Sequence, residues 1–358
     1  MEKYDTINFM QTIKILWSED KGFNEEELDR AASIIREGGL VAFPTETVYG
    51  LGGNGLLADA SKKIYEAKGR PSDNPLILHI SDMAMLSSIV TDIPESAKVL
   101  AENFWPGPLT MVFNKKDIVP GTTTGGLDTV AVRMPVHKGA LEFIARAGVP
   151  IAAPSANTSG RPSPTRAEHV AEDLDGKIDM IIDGGYVGIG YESTIVDVTS
   201  NVPTILRTGF ITKAMLEKVV GSVAIDPGIS GGSVRPKAPG MKYKHYAPKA
   251  DMIVYRGEIS NVVRAINRDV EKMATTKNPD LIGILATEET RGMYPVGQVL
   301  SVGSRSEGTA GRDLYDVLRR FDEIGVKIIY SENFDEMEKS EAIMNRLLKA
   351  AGQRWIDV

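Results

Sequence analysis

Lys68 and Arg70 flank one glycine at the end of a short helical pattern. Two cations leaving one short loop suit a polyphosphate, because a guanidinium forks two oxygens while an ammonium acts as a point charge. Cations that merely answer a helix dipole would look the same in one sequence. Hydroxyls lie close by. Pro44-Thr45-Glu46-Thr47 reads as a turn leaving the carboxyl end of a strand, where open α/β sheets bind ligands, although hydroxyls also cap and form turns. A third run, APSANTSGRPS over 153–163, carries hydroxyls, an amide and Arg161 behind a strand. Its small side chains expose backbone N–H groups, and such nests bind anions. A plain Ser/Gly/Pro surface loop would have the same composition.

Two further residues stand out by position. Arg133 interrupts the apolar strand VAVRM, and a charge there requires a fixed partner, either a ligand carboxylate or a buried salt bridge. His79 shares a strand face with Ile77, opposite Leu76, Leu78 and Ile80. A lone histidine so placed serves equally well as a hydrogen-bonded core residue. The four histidines, His79, His137, His169 and His245, show no metal-ligand spacing, and no catalytic triad is evident. A set of cations, hydroxyls and backbone donors suits phosphoryl or nucleotidyl transfer, in which positioning and charge stabilisation dominate.

Composition narrows the setting. With 358 residues the chain is long enough for two domains. Its 42% apolar and 25% charged residues are those of an ordinary globular protein. Without cysteine there is no disulfide, thiolate zinc site, iron–sulfur cluster or cysteine nucleophile. A net charge of -7 weighs against a general nucleic-acid coat. The opening MEKYDTINFMQTIKILW lacks the pattern of a secretory signal, and no apolar run approaches the ~20 residues that span a bilayer. A cytoplasmic location is the expectation.

Strands and helices must place these residues. The pattern predicts an edge strand over 12–17, then a helix capped by Asn24 with Glu27 three residues on and closed by Gly38-Gly39. A strand over 40–43, glycine-rich turns, and a helix over 59–67 capped at its start follow, then a strand over 76–80. Helices are predicted over 95–104, 139–147 and 166–174, and strands over 109–113, 130–134, 150–153, 180–183, 193–198 and 204–207. Residues 226–250 are rich in Gly and Pro, have no acid after Asp226 and five Lys/Arg from Arg235 onward, and read as a linker. Alternation resumes at 251 as a small doubly wound α/β domain without a glycine-rich nucleotide fingerprint.

In order, FPTETVYGLG, KGRPSDNPL with His79, FWPGPLT, VAVRMP, PSANTSGRPS, ESTIVD and ILRTG closely resemble the YrdC-domain family. With GMKYKHYAP and a C-terminal extension, the chain resembles the family's long form, the threonylcarbamoyl-AMP synthases. The motifs cover about 25–250; the rest agrees by position and pattern. The resemblance implies an α/β protein (α+β in some schemes). Residues 1–225 would form a YrdC/RibB-like twisted mixed sheet covered by helices, 226–250 a basic lid over the active site, and 251–358 a Rossmann-like domain. It implies condensation of L-threonine, bicarbonate or CO2, and ATP with Mg2+ to threonylcarbamoyl-AMP and pyrophosphate. The product would go to threonylcarbamoyl-transferase machinery that modifies tRNA beside the anticodon, with a weak tRNA contact and no membrane.

Carried over by position, Thr47, His79, Arg133 and Ser193 would contact threonine. Lys68, Arg70, Asn74, Ser155, Asn157, Ser163 and Arg207 would contact ATP, Lys68 and Arg70 in the catalytic role nearest the phosphates. Thr129 and Ala153 would contribute backbone, and Tyr246 would close over the nucleotide. No side chain is implied as a metal ligand. Two other readings compete. One is a double-stranded RNA or tRNA binding module, against which the net charge weighs. The other is a carbamoyl transferase of the hydrogenase-maturation type, which would carry the cysteine-rich zinc modules absent here.

Overall fold

The computed structural model describes residues 11–230, 246–335 and 340–358 of the chain. Eleven described strands form one mixed sheet. They are β1 (Ile13–Leu16), β2 (Val41–Phe43), β3 (Gly50–Asn54), β4 (Ile77–His79), β5 (Leu109–Asn114), β6 (Thr129–Arg133), β7 (Ile151–Ala152), β8 (Met180–Asp183), β9 (Thr194–Asp197), β10 (Thr204–Arg207) and β11 (Ala224–Ile225). Their spatial order is β1-β8-β2-β3-β7-β4-β6-β5-β9-β10-β11, with β1 at the predicted edge.

Residue alternation decides which helices cover which face. Val41, Phe43, Met180 and Ile182 pack with α1 (Glu25–Arg36) and α5 (Lys138–Ala147). Ala42, Leu78, Met111, Val132 and Ile181 join the larger core under α2 (Ala58–Lys68), α3 (Met83–Ile89), α4 (Glu95–Phe104), α6 (Ala167–Leu174) and α7 (Lys213–Val220). Ile77, Val112, Ala131, Ile195 and Leu206 form a small cluster of their own. That cluster is the floor from which His79 and Arg133 rise, since β4 and β6 pair in parallel with His79 beside Arg133.

The Asn24 cap forms, its side chain accepting from the Glu26 and Glu27 amides. Two expectations are corrected. The second helix starts at Ala58 behind Leu57, which makes no side-chain cap; Asp59 lies in the first turn and pairs with Lys62 at 2.9 Å. The glycine-rich stretch after Tyr49 is the buried strand β3 rather than turns. The glycines are there for contact: a Cβ on Gly52 would sit 2.8 Å from Ile151 Cγ2 and 3.0 Å from the Val41 carbonyl. Neighbouring strands and side chains fill the space a side chain would occupy. The short helices α3 and α7 and strand β11 were not foreseen, being only one or two turns or two residues long.

The second sheet is wholly parallel: β12 (Asp251–Arg256), β13 (Ile282–Ala286), β14 (Gln298–Ser301), β15 (Ile328–Ser331) and β16 (Trp355–Asp357), in the order β14-β13-β15-β12-β16. Met252, Val254 and Ile329 face α9 (Leu314–Ile324) and α10 (Ser340–Ala350). Tyr255, Ile284 and Tyr330 face α8 (Ile259–Ala274). This is the doubly wound arrangement, with β16 added to it. The α9/α10 core does not stop at its own sheet: Val48, Tyr191 and Tyr246 belong to it.

Gly52→Ala should lower stability by about 1–3 kcal/mol, the scale of overpacking a tight core. Urea unfolding measures this; an unchanged midpoint would mean that Ile151 and Phe43 can move aside.

Candidate active site

Helix α2 ends where its last residue faces a pocket. Gly69 takes a left-handed φ of +62°, its amide bonding Glu66 O while the Arg70 amide bonds Tyr65 O. This glycine-based C-cap turns the chain so that Lys68 and Arg70 both line the pocket. Buried Lys68 donates to the Ser155 and Asn157 carbonyls. Half-buried Arg70 donates to Asn74 O at 3.3 Å and Pro75 O at 3.1 Å. Arg207, from the end of β10, donates to Ser193 O at 3.0 Å and Ser193 Oγ at 3.1 Å. The recorded hydrogen bonds of all three cations therefore end on neutral acceptors. Lost hydration draws the Lys68 ammonium well below its ordinary range, with Arg70 adding repulsion. The same loss lowers Arg70 to about 10 and also lowers Arg207.

A second group gathers at the start of β3 and the ends of β4 and β6. Thr45 Oγ1 accepts from the Thr47 and Val48 amides, 3.2 and 3.3 Å away, which fixes the turn. Arg133 reaches Thr47 Oγ1 at 2.8 Å and Gly107 O at 3.3 Å, and forms a buried salt bridge with Glu46 at 2.7 Å. Of the two partners that the sequence allowed for Arg133, the protein itself thus supplies one. His79 Nδ1 is buried without a hydrogen-bond partner. Burial first, and then Arg133, holds this imidazole neutral by lowering it to about 3.

The 153–163 loop closes the third side. Ser155 Oγ bonds Asn157 Oδ1 at 2.6 Å, and Asn157 Nδ2 donates to Thr158 O and Arg161 O. Ser163 donates to Glu192 at 2.6 Å. Tyr246 is buried at the pocket with a φ of +65°, a conformation that costs a non-glycine residue energy, and it stacks on Tyr315 at 5.1 Å. Of the expected site residues, Thr47, Lys68, Arg70, His79, Arg133, Ala153, Ser155, Asn157, Ser163, Ser193, Arg207 and Tyr246 line one pocket. Asn74 and Thr129 do not line it. Asn74 lies behind Arg70, holding it through its carbonyl, and Thr129 starts β6 at the end away from Arg133. The rest of the expected lid, 231–245 with His245, lies outside the described residues.

This pocket is where comparison with known proteins becomes informative. A family profile described as "Telomere recombination", for Sua5, YciO and YrdC, matches residues 33–209. A second, "Threonylcarbamoyl-AMP synthase, C-terminal domain", matches 211–352. The chain is 49% identical to the threonylcarbamoyl-AMP synthase of Bacillus subtilis, over 93% of this chain and 95% of that one. It belongs to the threonylcarbamoyl-AMP synthase family. The synthase of Pyrococcus abyssi is 50% identical over 92% of this chain and 95% of its own length. The crystal structure of P. abyssi Sua5 complexed with L-threonine superposes with a TM-score of 0.90, covering 97% of this chain and all of that one at 49% identity.

Within this member of the family, two acids that shape the site are not marked by the sequence: Glu192, which lines the pocket, and Glu46, which pairs with the pocket residue Arg133. Both lie inside quoted motifs, PTET and ESTIVD. Neither interrupts an apolar strand as Arg133 does, since Glu46 lies between two threonines and Glu192 precedes Ser193 ahead of β9, so that signal could not find them.

His169 is also held neutral, near 3, by burial and then by Arg319, Arg166 and Arg161. Unfolding returns both histidines to about 6.5. Between those values the unfolded chain binds more protons, so stability is full above about pH 6.5 and falls as pH drops toward 3. Urea midpoints at pH 7.5 and pH 5 should fall in that order, and His79→Gln should flatten the fall. An equal slope in the variant would show that His79 does not contribute.

Proposed function

We propose that the chain condenses L-threonine, bicarbonate or CO2, and ATP to threonylcarbamoyl-AMP and pyrophosphate. The carrying observation is the trio Lys68, Arg70 and Arg207, three cations at one pocket whose recorded partners are all neutral. Such a site gains most from a polyanion, because burial has weakened the cations' hydration while their hydrogen bonds among the described residues go to neutral acceptors. The threonine end follows from the other group. Arg133 meets the amino acid's carboxylate or its carbamate, Thr47 and Ser193 offer hydroxyls, and the neutral ring of His79 lines the same side of the pocket. The L-threonine complex of the P. abyssi relative supports that choice of amino acid.

In this reading the threonine amine captures CO2, and the carbamate oxygen attacks the α-phosphorus of ATP in line. The P–O bond to the β-phosphate breaks, and pyrophosphate leaves against Lys68 and Arg70. Ser155, Asn157 and Ser163 hold the nucleotide, and Tyr246 closes over it, so water is kept from the labile carbamate and mixed anhydride. The triphosphate would carry Mg2+ as its counter-ion, which would offset part of its charge. Among the described residues no group of three His, Asp or Glu side chains is placed to hold a metal. We take 1–225 as the catalytic domain, 226–250 as its lid and 251–358 as the accessory domain. The product is passed to a transferase acting on tRNA. No described helix is long and apolar enough to cross a membrane.

Pyrophosphate release from ATP, with L-threonine and bicarbonate present or omitted, tests the reaction. Release should require both, and release independent of threonine would exclude it. Arg70→Ala should cut turnover at least ~100-fold, the scale of one lost electrostatic donor; near-normal turnover would remove its role. Arg133→Ala should raise the KM for threonine far more than that for ATP, whereas equal rises would mark its pair with Glu46 as structural.

A further inference from the structure

The pocket acid Glu192 is satisfied from the other domain. Its carboxylate is 7% exposed and accepts from Ser163 Oγ at 2.6 Å on one oxygen. On the other it accepts from Tyr315 OH at 2.8 Å and Arg346 Nε at 3.2 Å. Tyr315 comes from α9 and Arg346 from α10, both of the second sheet's layer. Arg346 also donates to Thr208 O at 2.6 Å and to the Glu192 carbonyl at 3.4 Å. One guanidinium thus ties the residue entering β9 to the residue leaving β10. Between those points lie Ser193 and Arg207, bonded to each other and lining the pocket. The crossing is tight: a Cβ on Gly209 would lie 2.3 Å from the Thr194 amide nitrogen.

We infer that Arg346 and Tyr315 are positioning residues of the nucleotide site, acting through Glu192 on Ser163 and through the β9–β10 ends on Arg207. The C-terminal domain is then a structural part of the catalytic pocket. Holding the domains together does not require this arrangement. Arg319 with Asp173 at 2.9 Å and Arg166 with Asp316 at 2.6 Å already join them. A buried pair is costly to desolvate and adds little net stability against an apolar replacement. What distinguishes Glu192 from the other interdomain acids is that it faces the pocket and orders a hydroxyl there. Tyr315 extends the same support to Tyr246, whose ring lies against its own at 26°.

The inference rests on the nucleotide reading given above, and ATP binding to the full chain, followed by calorimetry with Mg2+, separates the two. Tyr315→Phe keeps the stack on Tyr246 and removes the phenol's hydrogen bonds to Glu192 and Tyr246. It should weaken ATP about tenfold, the scale of one hydrogen bond to a charged group, with L-threonine affinity unchanged and the chain still folded at the assay temperature. Arg346→Met leaves Glu192 buried and unpaired and should unfold easily. Adding Glu192→Gln should restore its melting temperature while ATP affinity stays low. Wild-type ATP affinity in Tyr315→Phe, or joint recovery of stability and ATP binding in the double variant, would make the network a plain interdomain cross-link and overturn the inference. Failure of the wild-type chain to bind ATP would overturn the nucleotide reading along with it.

Discussion

The structure depends on three cations at one pocket whose hydrogen bonds, among the described residues, go to neutral acceptors. Lys68, Arg70 and Arg207 are held in place by carbonyls, an amide and a hydroxyl, and burial pushes all three toward the neutral form. Such an arrangement is unfavourable by itself and becomes favourable when an anion enters. The surrounding fold supplies the rigidity. Gly69 turns Lys68 inward, the Asn74 carbonyl holds Arg70, and the β9–β10 crossing holds Arg207.

The carboxylate that lines the pocket, Glu192, and the one behind Arg133, Glu46, are both committed to protein partners. Glu46 is bound to Arg133, and Glu192 to Ser163, Tyr315 and Arg346. Nearby opposite charge, chiefly Arg346, holds Glu192 ionised down to about 2 although burial opposes this. Each acid orders a neighbour, and among the described residues neither accepts a hydrogen bond from Lys68, Arg70 or Arg207, although the charge of Glu192 acts on Arg207. The second domain shares in this, since its α9/α10 core takes in Val48, Tyr191 and Tyr246 from the pocket side. Among the described residues the two sheets share no strand pairing and are joined by packing and side-chain hydrogen bonds.

Much of this was legible residue by residue. Alternation on 76–80 placed Ile77 and His79 on the face opposite the core, where they line the pocket. The lone charge in VAVRM announced a fixed partner, and it has one in Glu46. Asn24 announced a helix start. The glycine run after Tyr49 misled, because glycine is equally a turn former and the residue of close strand packing. Only the approach of Ile151, about a hundred positions away, distinguishes the two.

By itself the sequence determined the local chemistry: which residues are charged, where strands alternate, where helices start and stop, and that ordered motifs gather hydroxyls and cations. Local preferences settle these within a few residues along the chain. Tertiary structure alone decided which charges meet. Glu192 and Arg346 are 154 positions apart, and Arg133 and Glu46 meet only across the sheet. Desolvation depends on everything that surrounds a group in space, and neither spacing nor composition carries that information.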